Sequence, residues 1–337
     1  VKKHKTWSYL GCMILVAALF LSACSGQKTA DTSASKHKLK VGIVLSDIGL
    51  GDQSFSDGAF KGLIKARDEG DILFDYKEIA DTGTYDVGFE QLVNEGSDII
   101  IGLGYSVKES LEATAKKHPD RQFLLIDEKS ELANVASITF KEEEGSFLAG
   151  ALAAMASKSG HLGFIGGVES SLLHKFQIGY EQGARAINPN ISFSVNYTGD
   201  FGKAELGATA AREMITRDNA DVIYTVAGLT GVGGLQEAQK QGKYSIGVDS
   251  DQFFLAEKSV IASMVKNIDV AIYNALQTYM KSNASFPEKD MVFGLQDGGV
   301  GLTQIHLLEL TKEQQVQLEE LQQKLISGEI KINIPTS

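Results

Sequence analysis

Carboxylates, hydroxyls and an aromatic ring crowd the point where the first apolar run of this chain gives way to a helical pattern. The stretch "LSDIGLGDQSFSDGAFKG", residues 45–62, holds Asp47, Asp52, Ser54, Phe55 and Ser56. A loop that only turns the chain is served by Gly, Asn, Asp and Ser and gains nothing from a large ring in water, so Phe55 is expected to lie against something. Similar groups follow later apolar runs. Gly104 and Tyr105 follow "DIIIGL", Asp127 closes "FLLID", and Phe176 stands near a helix start; Gly228 and Thr230 follow "IYTVA", Asp249 and Asp251 lie in "GVDSDQ", and Lys266 ends "ASMVK". Carboxylates accept hydrogen bonds from hydroxyls and amines, and aromatic faces stack. The set suits recognition of a neutral polar ring compound.

Each of these residues also has a plainer reading. Asp52, Ser54 or Ser56 can cap the following helix, Phe55 can staple it, Phe176 can be core, and Lys266 can be a solvated lysine. Asp127 and Asp249 resist the plain reading, because each ends an apolar strand in matching surroundings. Enzyme signatures are missing: no Gly-x-Ser-x-Gly elbow, no phosphate loop, and glycines in "GLTGVGG" wrongly spaced for a dinucleotide site. His4, His37, His118, His161, His174 and His306 show no paired ligand spacing, so no metal site is expected. No cofactor and no catalytic residue are assigned.

The elements that must position these groups alternate. From Leu39 onward, "LKVGIVLSD", "ILFDYKEI", "SDIIIGLGYS" and "RQFLLIDE" are strand-like and are separated by segments of helical period. The pattern restarts at His161 with "HLGFIGGVE", "ISFSVNYTGD", "DVIYTVAGL" and "YSIGVDSDQ". Such alternation makes parallel sheets with crossover helices, and ligands gather beyond the carboxyl ends of their strands. A length of 337 residues allows two lobes of roughly 130 to 150 residues each. We expect an α/β protein of two doubly wound lobes joined by hinge crossings. The N-terminal lobe is expected over 39–145 and 253–287, and the C-terminal lobe over 146–252 and 288–337.

The first residues read differently. "VKKHK" is basic, "YLGCMILVAALFLSA" is apolar but too short to span a bilayer, and "LSAC" ends at Cys24. This predicts a signal peptide over 1–23, with Cys24 lipidated as in a bacterial lipobox and a polar tether over 24–38. Several acyl chains on one residue anchor a protein stably. The other cysteine, Cys12, falls in the removed segment, so the body has no thiol for a disulfide, a zinc site or nucleophilic catalysis. A net charge of -11 without a basic stripe argues against a nucleic-acid partner.

Seven strings in order, "DQSFSDGAFKG", "FKEEEGSFLAG", "GFIGGVE", "FQIGYEQGA", "AGLTGVGG", "IGVDSDQ" and "SMVKN", resemble the basic membrane protein family of bacterial lipoproteins, the purine-nucleoside-binding subunits of ABC transporters. The resemblance implies a type I periplasmic-binding-protein fold and no enzymatic activity. It implies that Phe55 and Phe176 sandwich the base, Asp127 meets its edge, Asp249, Gly228 and Lys266 surround the ribose, and Asp47 belongs to the first binding loop. Asp52 and Ser56 complete the expected ligand set. Ser56 departs from the asparagine usual in the family, which puts base preference in question. The implied partners are a nucleoside and a permease, with the protein a monomer held by lipid on the extracytoplasmic face of the cell membrane. A regulatory or sensory lipoprotein of the same fold, or a receptor for another small polar ligand such as a sugar, stays open as an alternative.

Overall fold

A computed structural model describes residues 38–335. The expected signal segment, Cys24 and the tether as far as residue 37 lie outside the described residues. The first half runs β1 (Leu39–Val44), α1 (Phe55–Asp68), β2 (Ile72–Lys77), the single turn α2 (Ile79–Thr82), α3 (Tyr85–Asn94), β3 (Ile99–Leu103), α4 (Lys108–Lys117), β4 (Gln122–Ile126) and β5 (Val135–Phe140). The second half runs α5 (Glu142–Ala156), β6 (His161–Gly166), α6 (Ser171–Ile187), β7 (Ser192–Tyr197), α7 (Ala204–Arg217), β8 (Val222–Val226), α8 (Gly228–Lys240), β9 (Tyr244–Asp249) and β10 (Val260–Lys266). The chain finishes with α9 (Ile268–Lys281), β11 (Asp290–Phe293), β12 (Val300–Leu302) and α10 (Lys312–Ile326).

Two six-stranded sheets result, in the orders β11-β5-β4-β3-β1-β2 and β12-β10-β9-β8-β6-β7. All neighbours are parallel except β10 with β12. Strands inside a parallel sheet are covered on both faces and read as unbroken apolar runs. Every residue of β3, "IIIGL", and of β8, "VIYTV", is accordingly buried, whereas the edge strands β2 and β7 are partly exposed.

The two lobes are matched strand for strand, and each gives its next helix to the other. After β5 the chain crosses, and α5 packs on α6 of the second lobe; after β10 it crosses back, and α9 packs on α1 of the first. This corrects three boundaries. The segment 253–287 was expected in the N-terminal lobe, but β10 within it pairs with β9, because its buried apolar run completes the ladder that β9 leaves open. Only α9 from that segment joins the first lobe. The segment from 288 was expected wholly in the C-terminal lobe, but β11 pairs with β5 and covers the otherwise bare edge of the first sheet. The third crossing therefore falls between β11 and β12. Expected to cross near residue 145, the chain first passes over at Lys141, since α5 already belongs to the second lobe.

Candidate functional site

The carboxyl ends of both sheets face one cleft, which encloses about 710 Å³ of space free of atoms, solvent at its mouth included. The first lobe brings Asp47, Asp52, Ser54, Phe55, Gly104, Tyr105 and Asp127 to its wall; the second brings Phe176, Gly228, Asp249 and Lys266. Phe55 is the first residue of α1, and Gly104, at φ +96°, lies against its ring with room for no more than an ordinary contact. Phe176 sits in the second turn of α6. A Cβ on Gly150 would collide with Tyr180 O, and one on Gly183 with Phe147 O, so α5 and α6 approach backbone to backbone and carry Phe176 as one rigid unit. Gly228 begins α8 at φ +52°, a conformation that side chains rarely take.

Asp127 follows β4 and Asp249 ends β9, at φ +70° and +63°. Left-handed backbone at a non-glycine residue costs on the order of 1–3 kcal/mol and clusters at functional sites. Here it turns both carboxylates across the end of the sheet. Lys266, the last residue of β10, donates from Nζ to Asp127 Oδ2 at 2.6 Å, and Glu142 Oε1 lies 3.2 Å from the same nitrogen. The ammonium stands 5.0 Å from the centroid of the Phe55 ring, 5.0 Å from that of Phe140 and 5.9 Å from that of Phe176. Phenylalanines of both lobes thus flank one cation. Burial pushes the Asp127 carboxyl up to about 6; the Lys266 charge opposes the shift, and the nearby Glu142 and Asp249 carboxylates add to it. Burial alone would lower Lys266, but the surrounding Asp127, Glu142 and Asp249 carboxylates outweigh it and hold the ammonium above its ordinary range. Asp249 is also raised, chiefly by burial.

The cleft is closed by direct contacts between the lobes. Ser54 Oγ donates to Asp249 Oδ2, and the carbonyl of Gln53 accepts from Ser250 Oγ and Gln252 Nε2, each at 3.1 Å. The Lys266–Asp127 pair is a further bridge.

Ser56 is corrected. It does not reach the cleft wall: it is fully buried, and its hydroxyl meets Ser46 Oγ at 2.8 Å, because its place in α1 turns it toward the end of β1. Asp52 lines the cleft, yet its carboxylate is already used. It accepts from the N–H groups of Ser54, Ser56 and Asp57 at 3.0, 2.7 and 3.2 Å, so from two residues before the N-cap Ser54 it satisfies the free N–H groups at the start of α1. Burial is the largest influence on it and raises its pKa against those three bonds. Asp47 accepts from the Tyr85 hydroxyl at the cleft edge. Thr230 is buried with its Oγ1 accepting from Lys203 N, and Asp251 is exposed and holds Phe253 N; neither lines the cleft.

Two residues escaped the sequence reading. Phe201 lines the cleft from "YTGDFGK", and the signal was the one that marked Phe55, a lone aromatic in a polar turn. Glu142, 1% exposed behind Lys266, carried no such signal, since one glutamate of three at a helix start looks like an ordinary first turn.

Among the described residues no helix is long and apolar enough to cross a membrane, and no cluster of metal-ligating side chains occurs. Residues 38–336 match the family described as "ABC transporter substrate-binding protein PnrA-like". The chain is 31% identical to the "CD4+ T-cell-stimulating antigen" of Listeria innocua, over 98% of this chain and 99% of the relative. It is 32% identical to "Basic membrane protein A" of Borreliella burgdorferi, over 94% and 93% of the two chains. Among solved structures, an ABC transporter solute-binding protein from Aeropyrum pernix superimposes with a TM-score of 0.80 at 27% identity, covering 89% of this chain and 94% of that one. Proteins of this family bind a solute for a membrane permease and are not enzymes. A two-lobed α/β clamp closed over a ring-lined acidic cleft, matched along its whole described length, belongs to the Bmp family of PnrA-like ABC transporter substrate-binding proteins.

Proposed function

We propose that the protein captures a purine nucleoside between its lobes and delivers it to an ABC permease, anchored by lipid on Cys24 at the extracytoplasmic face. The observation that carries this reading is the pairing of Phe55 and Phe176, from opposite lobes, around a buried Lys266–Asp127 pair whose spare oxygen, Asp127 Oδ1, has no hydrogen-bond partner among the described residues. A flat ring slots between the phenylalanines, stacking being worth roughly 1–3 kcal/mol per ring. Asp127 Oδ1 accepts from the edge of the base. Asp249 and Lys266 address the ribose hydroxyls where Gly228 lets the backbone come close, and Asp47 closes the first loop over the guest. The acidic lining disfavours nucleotides, whose phosphate would meet Asp249 and Asp47.

Calorimetry with guanosine, inosine, adenosine and cytidine, on protein freed of co-purified solute, tests the reading. Saturable heat with the purine nucleosides and little with guanosine monophosphate is expected; no heat with any nucleoside overturns it. Anchoring is tested separately. Cys24→Ala in the full chain should move the protein from the membrane fraction to the soluble one.

A further inference from the structure

Three buried ionisable side chains meet where the lobes join, and they do not pair off evenly. Lys266 is 3% exposed, Asp127 8% and Glu142 1%. Nζ of Lys266 donates to Asp127 Oδ2 at 2.6 Å, whereas Glu142 Oε1, only 3.2 Å from that nitrogen, accepts no hydrogen bond. The other oxygen of Glu142 lies 3.4 Å from Nζ of Lys175 on α6, which holds the carboxylate in place. Glu142 does not line the cleft. A buried carboxylate oxygen left without a donor is unfavourable, and natural proteins keep such groups only where something else requires them.

The lobe membership of the three residues supplies that requirement. Lys266 ends β10 and Glu142 begins α5, both in the second lobe; Asp127 follows β4 in the first. Two-lobed binding proteins open about their hinges. When these lobes part, Asp127 leaves with the first, while Glu142 and Asp249 stay with the second; of these, Glu142 is the one already within 3.2 Å of the ammonium, and Asp249 acts on it only as a nearby charge. An ammonium stranded without a counter-ion in a half-buried site would be strongly disfavoured. We infer that Glu142 is the alternate counter-ion of Lys266: the ammonium donates to Asp127 when the cleft is closed and to Glu142 when it is open, so that the two carboxylates, neither acting alone, set the balance between the states. Glu142 is a positioning residue, acting on the solute only through Lys266. The inference does not depend on which solute binds.

Its signature is a pair of effects of opposite sign in ligand-free protein. Glu142→Gln removes the acceptor that matters most when the lobes are apart, so the closed-to-open ratio should rise about tenfold, the scale set by one charge-assisted hydrogen bond. Asp127→Asn weakens the bridge between lobes, so the ratio should fall by a similar factor. Small-angle X-ray scattering of the full chain should give a smaller radius of gyration for Glu142→Gln than for the unmodified protein and a larger one for Asp127→Asn. Hydrogen exchange over residues 46–56 and 248–256, the loops that touch across the cleft, should slow in the first and quicken in the second. Glu142→Asp keeps the charge on a shorter arm and should shift the ratio in the same direction as Glu142→Gln by a smaller factor. That variant serves if the amide fails to fold. No change in dimensions or exchange for either Glu142 variant, or expansion like that of Asp127→Asn, overturns the inference, because a purely structural role would lower the melting temperature without moving the equilibrium.

Discussion

Asp127 and Asp249 occupy equivalent places, each at the carboxyl end of the fourth strand of its lobe and each with left-handed backbone. Each is met by a side chain of the opposite lobe. Their partners differ: Asp127 takes an ammonium, Asp249 a hydroxyl. The same local device therefore yields two kinds of grip. One is a buried ion pair at the hinge side with a spare oxygen; the other is a hydrogen bond between the loops that close the cleft. Repetition of the fold supplies the placement, and the strand beside each aspartate supplies the chemistry. β5 ends in Phe140 next to Asp127, while β10 ends in Lys266 next to Asp249 and within reach of Asp127.

Removing the ion from that contrast should have the largest effect. Lys266→Met leaves Asp127 buried without its cation and Glu142 with Lys175 alone, and urea unfolding should show a loss of about 3–5 kcal/mol. An unchanged midpoint would mean that the ammonium does not support the first-lobe aspartate. The two phenylalanines should separate next. Phe176 is 3% exposed within the core, so Phe176→Ala should cost about 3–5 kcal/mol of stability as well as solute affinity. Phe55 is half-buried at the cleft wall, and Phe55→Ala should cost roughly 1–3 kcal/mol of affinity by calorimetry with a much smaller change in melting temperature.

Ser54→Ala strips Asp249 of its hydroxyl. It should weaken solute binding by about 1.5 kcal/mol, roughly tenfold, while leaving the unfolding midpoint nearly unchanged. Equal effects on stability from Ser54→Ala and Lys266→Met would erase the distinction between the two grips. The last contrast concerns pH. Burial first, with the Glu142 and Asp249 charges, holds the folded Asp127 carboxyl at about 6, above its value of 3.8 in the open chain. Between those limits the folded state binds a proton that the unfolded state has released, so the contribution of Asp127 to stability falls as pH rises from about 4 to about 6. Melting temperatures across that interval should decline less steeply in Asp127→Asn.

Alternation of apolar and amphipathic segments was enough to predict the doubly wound lobes, since a parallel strand must be apolar on both faces and its crossover helix on one. Period and order also matched Asp127 with Asp249, because equal positions in equal units need no contact to be recognised. Lobe membership of β10 and β11 was out of reach: any buried strand satisfies its own pattern, and which open edge it completes depends on where the chain returns. Ser56 and Asp52 show the same limit, for a serine or aspartate at a helix start has several partners within reach and only the folded backbone selects among them. Glu142 marks it most sharply. Its role comes from a lysine 124 residues away in the chain and 3.2 Å away in space, and charge complementarity across such a separation leaves no trace in local sequence.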